Sequence, residues 1–449
     1  MLFPIFKPNQ TGSFVCEAFC HGLLAALLVL WAEACCAQDF GDAWTRFRGP
    51  NGSGLNDTQA LNVDWANTPA PRWKVELPGA GHSSPVVAND CIFTTSFDSD
   101  NLFHILGHRL SDGKQILDWT HPLKPHRMHR LNNVASSTLA ADETAIYALL
   151  PQTENVELIT LSFDGKLQWR RELGPWVAQH GFGVSPIVVD NHVIVLNSQE
   201  PQQGMRDPGT SGLLAFDKSS GELIWQTELD GARACYGAPI VDGQGDNRTL
   251  LCATAGEGFF GVSSSNGELL WKQPVFQLRV VGSPILAGRQ LIGNNGSGGG
   301  GNYVVSVDVD AAEHPKQFEI HRTVGYVPTL ISVEDKLFSC TDNGLVACFD
   351  LSDGTETWSE RVSSGFWSSP VSDGKSLFCL DKDGTLYVIE AASTFHTIGT
   401  IDLNEPSEAT PAIVRGNLIV RTERHLYCFG PAASELKGET DQVRIGDNH

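Results

Sequence analysis

The ending G-x-x-x-Trp constrains this chain more than any other feature. It recurs as Gly165–Trp169, Gly221–Trp225, Gly267–Trp271 and Gly354–Trp358, with a looser copy at Gly113–Trp119. Each copy closes a stretch of alternating apolar residues. Upstream of each lies a small residue, usually followed by Pro: Ser84-Pro85, Ser185-Pro186, Ala238-Pro239, Ser283-Pro284, Val327-Pro328, Ser369-Pro370 and Thr410-Pro411. Ser137-Thr138 fills the remaining interval. Successive anchors lie roughly 41–53 residues apart, and each repeat is strand and turn throughout, which is the signature of a propeller blade. The anchors predict an all-β fold, an eight-bladed β-propeller of four-stranded antiparallel blades.

Residues 185–225 show the grammar of one blade. Ser185-Pro186 opens an inner strand, where Pro is tolerated because the first residue need not donate to the ladder. His192–Leu196, Gly212–Asp217 and Glu222–Trp225 supply the other three strands, with a tight turn at Gly221. Blade five is degenerate, with Phe318 in place of Trp, and blade seven ends in Phe395-His396. Gly293–Asn302 reads as a flexible loop between strands two and three of blade five. After Thr410-Pro411 only Asn417–Val420 and His425–Phe429 remain as further strands, so the last blade lacks its fourth. Pro71–Leu77 reads as an outer strand with no blade of its own. It is predicted to complete the eighth blade and so to remove the free sheet edge.

The rest of the chain divides around this ring. Residues 1–37 read as a signal peptide: Leu23–Trp31 is apolar but too short to span a bilayer, and Ala34–Ala37 offers a cleavage site. An uncleaved anchor is the alternative, and Glu33 ahead of Cys35 argues against lipidation. Residues 38–70 form a lead segment containing Phe47–Gly54, residues 71–430 the propeller, and residues 431–449 a polar tail. Seven Cys follow the leader, mostly within strand patterns where Cys behaves as a small hydrophobe. Cys340 and Cys348 flank a turn and are the pair a hairpin would bring together. The net charge of −21 excludes nucleic acid as a partner and disfavours anionic membranes.

Ala215, Asp217, Gly221 and Trp225 match A-x-D-x-x-[ST]-G-x-x-x-W, and Asp350, Gly354 and Trp358 repeat it. This tryptophan-docking pattern resembles the repeats of pyrroloquinoline quinone (PQQ) propellers, a superfamily that includes quinoprotein dehydrogenases and shorter BamB-like secreted propellers. The chain is similar in size to the latter. The resemblance implies an indole packed flat between blades, with the Asp and the turn satisfying backbone donors beside it. For a dehydrogenase it further implies a Ca²⁺ held by carboxylate and amide oxygens, an Asp base, and a Trp floor with an Arg beside it. Many such members also stack the quinone on a disulfide between adjacent Cys. The only adjacent pair here, Cys35-Cys36, lies in the leader.

Loops that feed the inner strands should ring one mouth of the central channel. They place His82, Asn132, Asn133, His180, Tyr236, Tyr326 and Trp367 there as binding candidates, with Arg130 from the basic segment 126–130 alongside. The plainer reading makes these ordinary loop residues satisfied by neighbouring backbone. No catalytic residue and no metal ligand set emerges from the sequence, and Asp381–Gly384 reads as a hairpin turn rather than a calcium loop. The expectation is an exported, monomeric, non-enzymatic propeller, periplasmic or secreted, without a membrane span once the leader is removed. Envelope or secreted proteins are its expected partners, and no cofactor is expected. A PQQ- and Ca²⁺-dependent dehydrogenase of alcohols or sugars is the alternative.

Overall fold

In the reference repeat the apolar alternation becomes the strands Ile187–Val189, His192–Asn197, Gly212–Asp217 and Leu223–Glu228, paired antiparallel in that order. The first three are buried almost throughout and read as continuous apolar runs, because both faces pack on neighbouring blades. The fourth alternates buried and exposed residues at the rim. The computed structural model describes residues 43–58, 61–124, 128–152, 155–200 and 210–431. The leader, the Pro201 and Gly204 loop, and the tail from 432 lie outside them.

Eight such sheets are present, and the eighth closes as predicted. Its fourth strand is Trp73–Glu76, which runs antiparallel to His425–Phe429 with Trp73 opposite Cys428 and Glu76 opposite His425. In the other seven blades the pairing of strands three and four carries a register shift at the same place. The bulge sets the closing aromatic opposite a small residue: Trp225 opposite Ala215, Trp271 opposite Gly261, Trp358 opposite Cys348. In blade one the residue so placed is Leu117, opposite Gly107, while Trp119 lies opposite Ile105. The looser copy is therefore a turn of ordinary length with Leu in the indole's place.

The Gly and the Trp of the motif serve different interfaces. Trp169 lies on Gly221 of the following blade, where an added Cβ would sit 2.5 Å from the indole and the backbone φ is +71°. Its indole N–H donates to the Lys218 carbonyl at 2.9 Å. Trp225 covers Gly267 and Trp73 covers Gly113 in the same way, donating to Ser264 and Leu110 carbonyls at 3.2 and 3.0 Å. Asp217 holds its turn by accepting the Ser219 and Ser220 N–H groups, and Asp350 accepts that of Ser352. Phe318 covers Gly354, and Trp358 donates to the Ala392 carbonyl.

The small anchor residues form a hydroxyl ring around the channel. The backbone N–H of Ser84 donates to Thr138 Oγ1, Thr138 to Ser185, Ala238 to Ser283, Ser283 to Thr329, Thr329 to Ser369, Ser369 to Thr410, and Thr410 back to Ser84, at 2.9–3.0 Å. Ala238 breaks the ring because it has no hydroxyl to offer Ser185. This ring also corrects the anchors in two blades. The residue in register is Thr138 in blade two and Thr329 in blade six, so Val327-Pro328 lies two positions early.

The lead segment is a strap across the channel end opposite those loops. Thr45 accepts from Ala141 of blade two, and Trp44 bridges Val87 of blade one. Asn51 exchanges two hydrogen bonds with Val241 of blade four, and Leu55 pairs with Ser372 of blade seven. Asn56 Nδ2 donates to Ile413 of blade eight at 3.0 Å. Farther on, Trp65 wedges between Phe378 and Phe429, with ring centroids 5.1 and 5.9 Å away. It fills the place that blade seven, with Gly399 at its closing position, leaves open.

The seven described Cys are free thiols. Cys340 pairs with Val346 and Cys348 with Phe338, so the two thiols are not opposite each other across the hairpin. In blade five the second strand extends through Asn295, so Gly293 belongs to the strand and the loop is 296–302. Among the described residues no helix is long and apolar enough to cross a membrane.

Candidate functional site

The strap turns the channel into a blind cavity. Arg48 is fully buried and spreads its guanidinium over four carbonyls: Gly52 at 3.2 Å, Ser53 at 2.9 Å, and Leu330 and Pro370 at 2.8 Å each. Carbonyl dipoles replace water around the charge, while burial pulls the guanidinium pKa down to about 9. Gly54 must be Gly because a Cβ there would sit 2.5 Å from Arg48 Nη2, on a backbone with φ +76°. Arg46 is likewise buried and donates to the Pro239 carbonyl. Above them Phe47 lines the floor of a cavity of about 860 Å³ that opens at the mouth where the inner strands begin.

His82, Asn132, His180, Tyr236, Tyr326 and Trp367 line this cavity, together with the hydroxyl ring residues Ser84, Thr138, Ser185, Thr329, Ser369 and Thr410. Arg130 and Asn133 do not. Arg130 is exposed outside the lining, and Asn133 Oδ1 is spent on the Ala135 N–H at 2.8 Å. Asn132 Nδ2 bonds the His180 and Phe182 carbonyls at 2.9 Å, so it braces the loop. Tyr236 donates to the Gly181 carbonyl at 3.0 Å. His82 Nδ1 lies 2.8 Å from Glu408. Lys382 sits 6.0 Å from the centroid of the Trp367 ring.

Other lining residues were not singled out from sequence. Arg279 is buried, pairs with Glu200, and donates to the Ala234 carbonyl at 3.0 Å and the Tyr326 hydroxyl at 3.3 Å. It lies four residues before Ser283, an offset like that of His180 before Ser185, and that offset was the signal that could have found it. Asp342 accepts the backbone N–H groups of Tyr326 and Val327, yet burial raises its pKa. Burial lowers the His180 pKa, and the nearby Arg279 guanidinium lowers it further, with Glu200 opposing. The loop 296–302 overhangs the cavity through Ser297, Gly298, Gly300 and Asn302.

These residues do not fit a Ca²⁺–quinone pair. The floor is Phe47 rather than Trp, and both cavity carboxylates are engaged, Asp342 by two amides and Glu408 by His82. No three His, Cys, Asp or Glu side chains converge as metal ligands among the described residues.

The closing strand, the bulged blades and the docked indoles define an eight-bladed propeller of PQQ-like repeats. The family model described as outer membrane protein assembly factor BamB matches residues 119–311 and 317–425, and the chain belongs to that family. No curated protein matches the sequence. Among solved structures, BamB from Moraxella catarrhalis is 14% identical with a TM-score of 0.57, covering 85% of this chain and 99% of its own. Quinohemoprotein alcohol dehydrogenase from Comamonas testosteroni is 12% identical with a TM-score of 0.61, covering 87% of this chain and 81% of its own. The computationally designed Ika8 protein is 11% identical with a TM-score of 0.57, covering 81% of this chain and all of its own (100%). At these identities the likeness is one of fold.

Proposed function

We propose that this chain is an exported propeller that acts as a non-enzymatic protein-interaction scaffold in the cell envelope. Membership of the BamB family supports the setting. The observation that carries the reading is an apolar rim. Ile116, Leu167, Leu223, Ile224, Leu269 and Leu270 are exposed on the fourth strands of blades one to four, with Leu223 at 52%. The equivalent positions of blades five and six carry Lys316, Gln317, Glu356 and Thr357. Those positions do the same job in the blade, so the fold does not require Leu or Ile at any of them. Exposed apolar side chains repeated on four successive blades, which the fold does not need, point to a contact surface. Covering each half-exposed side chain contributes on the order of 1 kcal/mol.

The test is cross-linking in intact envelopes of wild type against a Leu223→Asp, Leu269→Asp variant that keeps its thermal midpoint. A defined set of envelope partners lost only in the variant is the expected result. Identical capture by both, or PQQ- and Ca²⁺-dependent alcohol oxidation by the purified protein, refutes the scaffold reading.

A further inference from the structure

We infer that the seam between blades eight and one holds a buried monatomic anion, a halide, on Arg421 and Thr94. The site lies inside the wall of the ring, stands apart from the apolar rim, and does not rest on the scaffold reading. Blade eight is the one that the chain's first strand completes, so its contact with blade one is where the ring shuts. Arg421 ends the second strand of that blade, Asn417–Arg421. There Ile419 lies opposite Cys428, and Cys428 opposite Trp73, whose indole covers Gly113 of blade one. Side chains alternate along a strand, so Arg421, two residues beyond Ile419, points the same way. Thr94 faces it from the second strand of blade one. It lies two residues from Ile92 and opposite Leu106, and both of those pack in one core cluster with blade eight.

Both side chains are completely buried, at 0% exposure. Arg421 Nη1 donates to the Ser83 carbonyl at 2.9 Å and to Ser83 Oγ, and that hydroxyl accepts the Thr95 N–H at 2.9 Å. The guanidinium is thus tethered beside the backbone of Thr94 and Thr95. Its Nε and Nη2 have no hydrogen-bond partner, and neither has Thr94 Oγ1. Among the described residues no other side chain leaves two buried polar atoms unpartnered. Gly81 comes so close that an added Cβ would overlap Nη2. Arg48, equally buried, spreads its fork over four carbonyls, whereas Arg421 has only the two oxygens of Ser83. Burial alone pulls its pKa down to about 9, which leaves it a cation at neutral pH, and no carboxylate acts on it. A charge taken out of water needs a counter-charge or a full set of hydrogen bonds. What Arg421 and Thr94 offer into the seam is three N–H bonds and a hydroxyl. A halide accepts from all of them and neutralises the charge. Water would fill the hydrogen bonds and leave the charge, and a seam closed to solvent suits one atom better than an oxyanion.

Anomalous diffraction from crystals of the full chain grown in chloride, recorded at a long wavelength where chlorine scatters anomalously and oxygen does not, tests this. A chlorine peak touching Arg421 Nε and Nη2 and Thr94 Oγ1 is the expected result. A water there, or no peak, overturns the site. Thermal unfolding in chloride against gluconate at equal ionic strength gives a second readout. The wild-type midpoint should rise with the logarithm of chloride once chloride exceeds its dissociation constant. Thr94→Val should need about tenfold more chloride for the same rise, the loss of one hydrogen bond to a charged group. Arg421→Met should gain no more from chloride than from gluconate. If Arg421→Met does not fold, Thr94→Val carries the comparison alone. A chloride response that these substitutions leave unchanged overturns the inference.

Discussion

Replacing Gly221 by Ala isolates the docking of indole on glycine from ordinary backbone strain. At Gly221 φ is +71°, and a new Cβ would lie 2.5 Å from the Trp169 ring. At Gly288 φ is +58°, and a new Cβ would meet nothing within 4 Å. Both substitutions incur the left-handed strain of a residue with a Cβ, roughly 1–2 kcal/mol. Only the first also forces blade three away from the indole, an overpacking cost of about 1–3 kcal/mol. Gly221→Ala should therefore lose about 2–5 kcal/mol and Gly288→Ala about 1–2 kcal/mol. Urea unfolding of the two variants, with midpoints compared at a common slope, measures the gap. A cycle with Trp169→Ala adds a second reading, because the gap should close once the ring is gone. Equal losses at the two glycines, or a gap that survives Trp169→Ala, would refute the docking account.

Two further outcomes follow from buried charge. His108 is 1% exposed with Nδ1 unpartnered, and burial drops its pKa to about 4 from 6.5, with Asp118 opposing only in part. The unfolded chain therefore binds the proton first. Stability is whole above about pH 6.5 and falls by on the order of 3 kcal/mol as pH drops to about 4, a loss that His108→Gln should not show in unfolding curves measured across that window. Arg48→Lys should lower stability by at least about 2 kcal/mol, because an ammonium cannot span four carbonyls held by a fork, and an unchanged thermal midpoint would count against the latch.

The ring was legible because its information is local and repeated. Gly221 and Trp225 mark one turn and one strand, and the orphan strand around Trp73 has nowhere to go but the incomplete blade. Register was less legible. Val327-Pro328 looks like an anchor by composition, but the hydroxyl that closes the ring belongs to Thr329, and only the inter-blade hydrogen bond distinguishes them. Trp119 drew attention from Leu117 because a Trp stands out and a Leu does not. The strap was opaque for a different reason. Arg48 satisfies carbonyls of Leu330 and Pro370, far along the chain, and no periodicity announces a segment that occurs once. The floor of the candidate site was hidden with it.

Closure through Trp73–Glu76 also sets a timetable. The strand is made near the start of synthesis, yet its partner His425–Phe429 arrives roughly 350 residues later, so the nascent chain holds an unmatched edge throughout. Lys74 and Glu76 on that strand discourage it from pairing with a wrong edge while it waits. A chain stopped short of residue 425 would not be a propeller with one blade fewer. It would be an open arc with two raw ends, its first strand and strap still committed to a blade that never came.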